Sequence, residues 1–432
     1  MNDLSRRYLP PAEEQEPPSR PRPRPSGPIG VLDIGTTKIV CIIGRVESDG
    51  TSRVLGFGWQ RARGVRNGGI VDIEEAERAI RAAVGQAENE ADQRLKSITV
   101  NLSCGQPGSR LFNVQWPVGG RAVTEADLRR VLLEGRARAI VDGRDIIHAL
   151  PLAFAADDAQ GVDDPRGLHC ETLSARVHVV DALRTALMNL SACLNRCDLE
   201  VAEMVSAPMA AGMATLVEDE RLLGATVIDM GGGTTGMAVF SEGHLLHTEQ
   251  LPIGGTHVTN DIARVLSTQV THAERLKTLY GSAQSSPDDE KEMLPVPLVG
   301  EEEHHFAKVP RSMVVNIIKP RLEETFELVK ERLDGAGLGR AAGSRVVLTG
   351  GASQLNGARE MASRILGRQV RHGRPATLRG LPDSASGPAF ATAVGLLAWA
   401  SGAGRNLPDI DLDADRPGGM IRRIVNFLRE RV

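Results

Sequence analysis

The sequence predicts an α/β protein of two similar lobes, with a small α+β subdomain inserted into the first lobe. Two distant segments, VLDIGTTKIVCIIG (31–44) and VIDMGGGTTGMAVF (227–240), share one pattern. In each, an apolar strand ends in Asp-x-Gly, a turn of small residues follows, and a second apolar strand resumes. Such a repeat indicates two related halves that face each other. The pattern of the sequence changes after Cys104, and this change marks the start of the insertion.

The composition is that of a folded protein with an aliphatic core. The 432 residues are enough for two to four domains. Aromatic residues make up only 3% of the chain, and the net charge of −4 gives no case for binding nucleic acid. No run of about 20 apolar residues predicts a membrane span. The five cysteines form no Cys-x-x-Cys pair, so we expect a reduced, cytosolic protein whose cysteines bind no metal.

The elements of the first lobe follow in order. Residues 1–28 are rich in Pro, Arg and Glu and lack the apolar run of a signal peptide, so we expect a disordered tail. Order begins at Ile29 with two strands around a turn, and SRVLGFGWQ supplies a third strand. SITVNLS (97–103) reads as a short central strand. The helix between them is predicted by apolar residues at helical spacing, Ala76, Ile80 and Val84.

The inserted segment and the second lobe are predicted next. A capping box of Thr124 and Asp127 begins one helix, and HALPLAFA and SARVHVV read as strands. Helices are predicted over 181–197 and 204–219, and the strand at Val346–Leu348 runs through a Gly-Gly turn into another helix. The predicted division is a tail (1–28), subdomain 1A (29–104, 181–220 and 376–400), inserted subdomain 1C (105–180), subdomain 2A (221–258 and 343–375), subdomain 2B (259–342), a flexible linker (401–419) and a terminal helix (420–432).

The two Asp-x-Gly turns have the composition of phosphate-binding loops. Glycines can adopt positive φ, so successive N–H groups can point into one concavity, and neighbouring hydroxyl and ammonium groups add donors. The predicted phosphate-binding residues are Gly35, Thr36, Thr37 and Lys38 in the first turn and Gly231, Gly232, Gly233, Thr234 and Thr235 in the second. The Asp33 and Asp229 carboxylates repel phosphate, so we expect them to bracket a Mg²⁺ ion through its retained waters. The alternative is that each segment is an ordinary tight hairpin turn.

Two further motifs add candidate contacts to a nucleotide. Gly350, Gly351 and Ala352 lie between a strand and a helix, where backbone approaches a nucleotide closely. Glu274 and Lys277 share a helix face and are positioned to bond a ribose or an adenine edge, unless they form only a surface ion pair. Neither the GxxxxGK[ST] loop nor the GxGxxG dinucleotide fingerprint is present in the sequence.

Two Asp-Gly turns, a Gly-Gly turn and a Glu-x-x-Lys helix in this order resemble the actin-like ATPase superfamily. Within it the chain resembles the FtsA family of bacterial cell-division proteins. The most specific segments are VIDMGGGTTGMAVFSEGHLLHTEQLPIGGTHVTNDIA, AERLKTLYGSA, VPRSMVVNIIKPRLEETFELV, VVLTGGASQLNG and ATAVGLLAWA. The resemblance implies an actin-like fold of duplicated ribonuclease-H-like domains, with ATP and Mg²⁺ between the lobes.

The resemblance also implies partners and a place in the cell. Members of the family polymerise on the cytoplasmic face of the inner membrane at the division septum, as peripheral proteins. They tether FtsZ filaments there through the FtsZ C-terminal tail and link them to later divisome membrane proteins. The tail contact is carried over to Arg311 and Arg321.

One departure from the superfamily concerns hydrolysis. Heat-shock and MreB-like relatives start a helix with Glu-Pro-x-Ala-Ala, and their glutamate positions the attacking water. Here Ala207 takes the place of the glutamate, while Pro208, Ala210 and Ala211 match. A methyl group cannot orient water, and the loss is of the order of 10²–10⁴ in rate. We expect tight ATP binding with turnover below about one per second, unless Ser206 or a glutamine elsewhere holds the water.

The terminal segment 420–432 reads as a basic amphipathic helix. Its 13 residues are too few to span a bilayer, and four arginines oppose a single glutamate. Such a helix suits an anionic membrane surface, where each arginine adds about 1 kcal/mol. The alternatives are a helix that folds back on its own domain or binds a partner. The residues expected at the membrane are Ile421, Arg422, Arg423, Ile424, Val425, Phe427, Leu428 and Arg429.

Other members of the actin-like class fit the sequence less well. A PilM-like adaptor for pilus assembly is the main alternative, but the terminal amphipathic helix argues against it. A sugar or acetate kinase needs a further catalytic carboxylate, and the only candidates, Asp33 and Asp229, are already assigned to the metal. A heat-shock chaperone needs a substrate-binding domain after the ATPase, and about 30 residues follow Ala400.

Overall fold

The first lobe begins as predicted, with a strand hairpin and a helix. The structure, a computed structural model, describes residues 27–301 and 306–402. Helix α1 begins after Asp72, whose side chain accepts a hydrogen bond from the Glu75 backbone N–H, and its predicted apolar face is buried. The elements are β1 (Ile29–Ile34), β2 (Lys38–Val46), β3 (Ser52–Arg61), β4 (Val65–Arg66), β5 (Gly69–Ile70), α1 (Ile73–Ala91) and β6 (Ser97–Leu102).

The inserted segment forms its own sheet with one helix packed on it. Its strand order is β7-β10-β8-β9, and the capping box of Thr124 and Asp127 at the start of α2 is confirmed. The elements are β7 (Gly108–Pro117), α2 (Glu125–Arg138), β8 (Arg144–Ala156), β9 (Ala159–Val162) and β10 (Thr172–Leu183).

The chain then completes the sheet of the first lobe. The next elements are α3 (Arg184–Arg196), β11 (Glu200–Ser206) and α4 (Ala207–Thr215). The sheet order is β11-β6-β1-β2-β3, so β6 is interior, as predicted. The single helix predicted over 204–219 is wrong at both ends. Met204–Ser206 continue β11 in parallel pairing with β6, and the helix stops at Thr215.

The second lobe repeats the plan of the first. Its elements are α5 (Glu218–Leu223), β12 (Ala225–Met230), β13 (Thr235–Ser241), β14 (His244–Leu251), α6 (Gly255–Val265), α7 (Val270–Tyr280), β15 (Met293–Pro297), β16 (Phe306–Pro310), α8 (Arg311–Gly335), β17 (Arg345–Thr349), α9 (Ala358–Leu366), β18 (Gln369–His372) and α10 (Ala391–Ala400). The sheet order is β14-β13-β12-β17-β18. Each lobe therefore has a three-stranded antiparallel meander followed by two parallel strands, which confirms the duplication.

Helices α4 and α10 pack together between the two sheets. They share one hydrophobic core with residues of both lobes, such as Val31 of β1 and Val227 of β12. The segment ATAVGLLAWA, which carries part of the family resemblance, thus forms the buried helix α10. The Gly-Gly turn after β17 differs from expectation, because it enters a short 3-10 turn, Gly351–Gln354, before α9 begins.

A buried histidine joins the inserted subdomain to the second lobe. His178 Nε2 lies 2.7 Å from Ser109 Oγ, which accepts a hydrogen bond of 3.1 Å from the Thr248 backbone N–H of β14. Burial, with His247 and His148 nearby, lowers the pKa of His178 to about 3. The neutral ring is therefore the form that fits this interface.

The depressed pKa of His178 predicts acid sensitivity. The unfolded chain binds this proton below its ordinary pKa of about 6.5, so the group's contribution to the free energy of unfolding is lost as pH falls from there. We expect a loss of about 1.4 kcal/mol between pH 7.5 and 5.5, which His178→Phe should remove. Thermal melting at both pH values measures it, with exposed His169→Gln as the control. An unchanged pH slope in His178→Phe would contradict this assignment.

Candidate functional site

The cleft between the lobes brings the two Asp-x-Gly turns face to face. Predicted residues that line it are Asp33, Gly35, Thr36, Thr37, Lys38, Asp229, Gly231, Gly232, Thr234, Gly350 and Gly351. The cleft therefore gathers segments that are nearly 200 positions apart in the chain.

The two turns have the same internal geometry. The Gly35 N–H donates to Lys38 O at 3.0 Å, and the Gly231 N–H donates to Thr234 O at 2.8 Å. Each bond closes a turn that holds the preceding aspartate at the end of its strand. The duplicated sequence pattern thus produces duplicated local structure.

The reason for the glycines in the second turn differs from the prediction. The positive φ expected for Gly231, Gly232 and Gly233 is wrong, since none of them is among the residues with positive φ. Glycine is required there by close approach. A methyl group on Gly232 would clash with the Thr37 side chain, and one on Gly233 would clash with Thr36. The first and second turns therefore touch through these glycines.

The carboxylates of Asp33 and Asp229 lie at the floor of the cleft. Asp33 is only 7% exposed, and Asp229 Oδ2 accepts a hydrogen bond of 3.0 Å from Thr392. Gly350 does adopt positive φ, and a side chain on it would collide with Asp229 Oδ1. The absence of a side chain on Gly350 thus leaves room for the Asp229 carboxylate.

The electrostatics of the cleft favour a bound cation. Burial raises the pKa of Asp33 to about 7, against the effect of Lys38, and the Asp229 charge raises it further. Burial also raises the pKa of Asp229 and lowers that of Lys38. The Lys38 ammonium donates to Ala389 O and lies 4.5 Å from the centre of the Phe390 ring. Buried Asp33 and partly buried Asp229 share Lys38, and hard oxygen donors of this kind fit Mg²⁺ with its waters.

Several predicted residues lie beside the cleft. Thr235 is fully buried, and its hydroxyl donates to Ile253 O at 2.8 Å, so it is committed to the second lobe. Lys277 Nζ donates to Thr259 Oγ1 at 2.9 Å and lies 2.7 Å from Glu274 Oε2. The Glu274–Lys277 pair therefore ties α7 to α6. A methyl carbon built on Gly255 would lie 3.1 Å from Ala352 Cβ and 3.6 Å from Lys277 Nζ. Because Gly255 lies next to the second turn, Ala352 and Lys277 lie beside that turn as well.

The predicted partner-binding arginines have carboxylate partners within the chain. Arg311 Nη1 donates to Asp289 at 2.8 Å. Arg321 Nε donates to Asp261 at 2.5 Å and its side chain is 28% exposed. The described structure therefore gives both side chains intramolecular partners, and their contact with another protein stays a prediction.

Five lining positions were not predicted from the sequence: Gly68, Asn101, Ser103, Ala389 and Thr392. Thr392 bonds Asp229, and Asn101 Oδ1 accepts a hydrogen bond of 2.7 Å from the Ile34 backbone N–H, directly after Asp33. Ser103 and Gly68 complete this side. The available signals were a lone threonine in the apolar segment AFATAVGLLAWA and an asparagine at the end of an apolar strand.

Ala207 is the first residue of α4 and is 2% exposed. The neighbouring Ser206 hydroxyl, the first alternative for holding a water, lies 2.9 Å from Thr248 Oγ1 inside the interlobe core. It is therefore engaged in contact between the lobes. The other alternative, a glutamine elsewhere, is taken up below.

Some predictions fall on residues outside the described part of the chain. Most of the N-terminal tail (1–28), most of the linker and the membrane residues Ile421 to Arg429 lie there. In residues 27–301 and 306–402, no helix combines the length and apolarity needed to cross a bilayer.

Comparison with known proteins identifies the fold. In a structure of the PilM-PilN type IV pilus biogenesis complex, a chain aligns with a TM-score of 0.62, at 17% identity, covering 87% of this chain and 99% of that one. At this identity the likeness concerns the fold alone. It agrees with the duplicated sheets described above, and the predicted actin-like fold is confirmed.

Sequence comparison identifies the family. The pattern of the family described as "Cell division protein FtsA" matches residues 226–395, and that of the "SHS2 domain inserted in FTSA" matches residues 105–181. The chain is 42% identical over 422 residues to the Cell division protein FtsA of Agrobacterium fabrum, covering 93% of this chain and 94% of the relative. It is 33% identical over 377 residues to that of Escherichia coli, covering 85% and 88%. The chain therefore belongs to the FtsA family of cell division proteins.

Proposed function

We propose that this chain binds Mg²⁺-ATP between its lobes and, as a polymer on the cytoplasmic face of the inner membrane, tethers FtsZ filaments at the division septum. The observation that carries the nucleotide part is the meeting of two similar Asp-x-Gly turns across one cleft, with the Asp33 carboxylate behind the first and the Asp229 carboxylate behind the second. Family membership supports the role in division. Later divisome membrane proteins are proposed as further partners.

Different residues would hold the phosphates, the Mg²⁺ ion and the nucleoside. The two turns and Lys38 offer backbone, hydroxyl and ammonium donors to phosphate oxygens. Asp33 and Asp229 would hold Mg²⁺ through its waters, and that ion would neutralise charge on the phosphates. Ala352, Glu274 and Lys277 lie beside the second turn, where the nucleoside would continue. Ala207 contributes no water-orienting group, so we propose slow hydrolysis.

The tethering function predicts two separable contacts. The full chain should co-sediment with anionic liposomes and should recruit an FtsZ C-terminal tail peptide to them, more strongly with ATP, because polymerisation multiplies weak helix contacts. A variant truncated after Asp415 should keep ATP and peptide binding but lose the liposomes. Charge reversal at Arg311 and Arg321 should weaken peptide binding, and melting temperatures of the variants separate this loss from the loss of the ion pairs with Asp289 and Asp261.

Each outcome bears on a different part of the proposal. Liposome binding by the truncated chain would refute membrane attachment through the terminal helix. Absence of peptide binding by the full chain would refute the FtsZ contact and shift weight to a pilus-type adaptor, whose fold this chain shares.

A further inference from the structure

A row of three residues crosses the sheet of the second lobe next to the cleft. Asp229 of β12 pairs with Gly236 of β13, and Gly236 pairs with Gln250 of β14. Directly paired residues of antiparallel strands point to the same face of the sheet. This face packs on the interlobe core, as the neighbouring pair Val227 and Ala238 shows. Gln250 therefore projects on the same side as the cleft carboxylate Asp229.

Gly236 leaves room between the two side chains. A methyl carbon there would lie 2.8 Å from Gln250 Oε1 and 3.0 Å from the Pro208 ring. The Gln250 amide oxygen and the Pro208 ring therefore both face the space over Gly236. Pro208 directly follows Ala207 at the start of α4, and Ala207 stands where related ATPases carry their water-orienting glutamate.

Within residues 27–301 and 306–402, no group donates a hydrogen bond to the buried amide oxygen of Gln250. Its Oε1 atom is among the buried side-chain atoms that lack a partner. Leaving such an acceptor unpaired is unfavourable, so the position favours a ligand that can donate. An anionic phosphate oxygen cannot donate, but a water molecule beside the phosphate can.

We propose that Gln250 is a positioning residue that holds a water molecule next to the terminal phosphate of bound ATP. This inference rests on the proposed nucleotide function. Gln250 Oε1 would accept one hydrogen bond from the water and leave a lone pair directed at phosphorus. In hydrolysis the water oxygen bonds to the terminal phosphorus, and the bond from phosphorus to the bridging oxygen breaks with its electron pair going to ADP. Both protons of the water leave with the inorganic phosphate as H₂PO₄⁻.

An amide differs from a carboxylate in one respect that matters here. It orients water but cannot accept the proton as a base. Gln250 would therefore supply part of what Ala207 lacks, and hydrolysis would remain slow but above the uncatalysed rate. This assigns the second alternative left open by the sequence, a glutamine elsewhere, to a specific residue.

The test compares Gln250→Leu and Gln250→Glu with the unaltered chain. The measurements are the dissociation constants for Mg²⁺-ADP, Mg²⁺-ATP and Mg²⁺-ADP with aluminium fluoride, an analogue of the transition state with its in-line water. Single-turnover hydrolysis and melting temperature accompany them. Gln86→Leu is the matched control, since its amide oxygen accepts from the Trp59 backbone N–H away from the cleft.

The unaltered chain should bind ADP with aluminium fluoride at least about tenfold more tightly than ADP alone. Gln250→Leu should lose most of that factor and a similar factor in hydrolysis, about tenfold for one hydrogen bond, with ADP affinity within about twofold. Gln250→Glu should restore the analogue affinity, because it keeps an acceptor at the same reach. Gln86→Leu should match the unaltered chain.

Three results would overturn the inference: undiminished analogue affinity in Gln250→Leu, no gain from aluminium fluoride in the unaltered chain, or equal losses for ADP and the analogue with a lower melting temperature. If the unaltered chain bound neither ADP nor ATP, the proposed nucleotide function itself would fail, and the inference with it.

Discussion

Replacing Asp33 with Asn should weaken Mg²⁺-dependent ATP binding and, at the same time, stabilise the nucleotide-free protein. The carboxylate is 7% exposed, and burial raises its pKa to about 7. A folded-state pKa above the unfolded value means that this group lowers the free energy of unfolding as pH rises from about 4 to about 7. Asn removes that penalty while it keeps the size of the side chain, and Lys38 keeps Asp229 as its partner.

The expected gain in stability is about 2–4 kcal/mol above pH 7, and the expected loss in Mg²⁺-ATP affinity is about 10–100-fold. Chemical denaturation without nucleotide and calorimetric titration with Mg²⁺-ATP measure the two effects. The gain in stability and the loss in affinity have one cause. The negative charge of Asp33 that attracts a cation is costly to bury when no cation is bound.

Asp127→Asn is the matched control. Asp127 is equally buried, but the Arg121 guanidinium bonds it at 2.6 Å and holds its pKa well below the usual range. Its replacement should destabilise the chain and leave ATP binding unchanged. If Asp33→Asn behaved like Asp127→Asn, Asp33 would be a structural carboxylate and not part of a metal site.

Adding a single methyl group at Gly395 should cost about 3–5 kcal/mol of stability. Gly395 lies in α10. Because it has no side chain, the backbone of α10 can lie close to the backbone of α4 at this point. A methyl carbon there would overlap the carbonyl oxygen of Ala210, which is backbone and has no rotamer to escape. Since these helices share the core between the lobes, the change should separate the halves of the nucleotide cleft.

Gly85→Ala is the control for Gly395→Ala, because Gly85 also lies in a helix but has open space beside it. Gly85 lies within α1, and nothing stands within 4 Å of a carbon added there. Alanine should therefore stabilise the helix by about 0.5–1 kcal/mol. Melting temperatures and ATP affinities of both variants measure the difference. A Gly395→Ala protein as stable as the original would mean that α4 and α10 do not pack in this way.

Local patterns predicted most of the elements that build the cleft. Strands that end in Asp-x-Gly, apolar spacing in α1 and the capping box at Thr124 depend on residues close in sequence, and all were found where expected. The boundary between β11 and α4 was missed because MVSAPMAAG is apolar on both sides of the boundary, apart from Ser206. Parallel pairing with β6, a tertiary effect, decides where the strand ends.

Features set by contact between distant segments could not be predicted. Gly232 reads as a flexible turn residue in the sequence, yet its conformation is ordinary and its role is to admit Thr37 from the other lobe. Gln250 has no local signature at all. Its position follows from the register of three strands and from the absence of a side chain on Gly236.

Calorimetric titration of the full chain with ATP, in Mg²⁺ and in excess EDTA, tests the nucleotide cleft most directly. One ATP should bind per chain in Mg²⁺, with affinity reduced at least about tenfold by EDTA and to a similar degree by Asp33→Asn or Asp229→Asn. Absence of binding, or binding that neither EDTA nor the two substitutions alter, would show that the paired Asp-x-Gly turns do not form a Mg²⁺-nucleotide site.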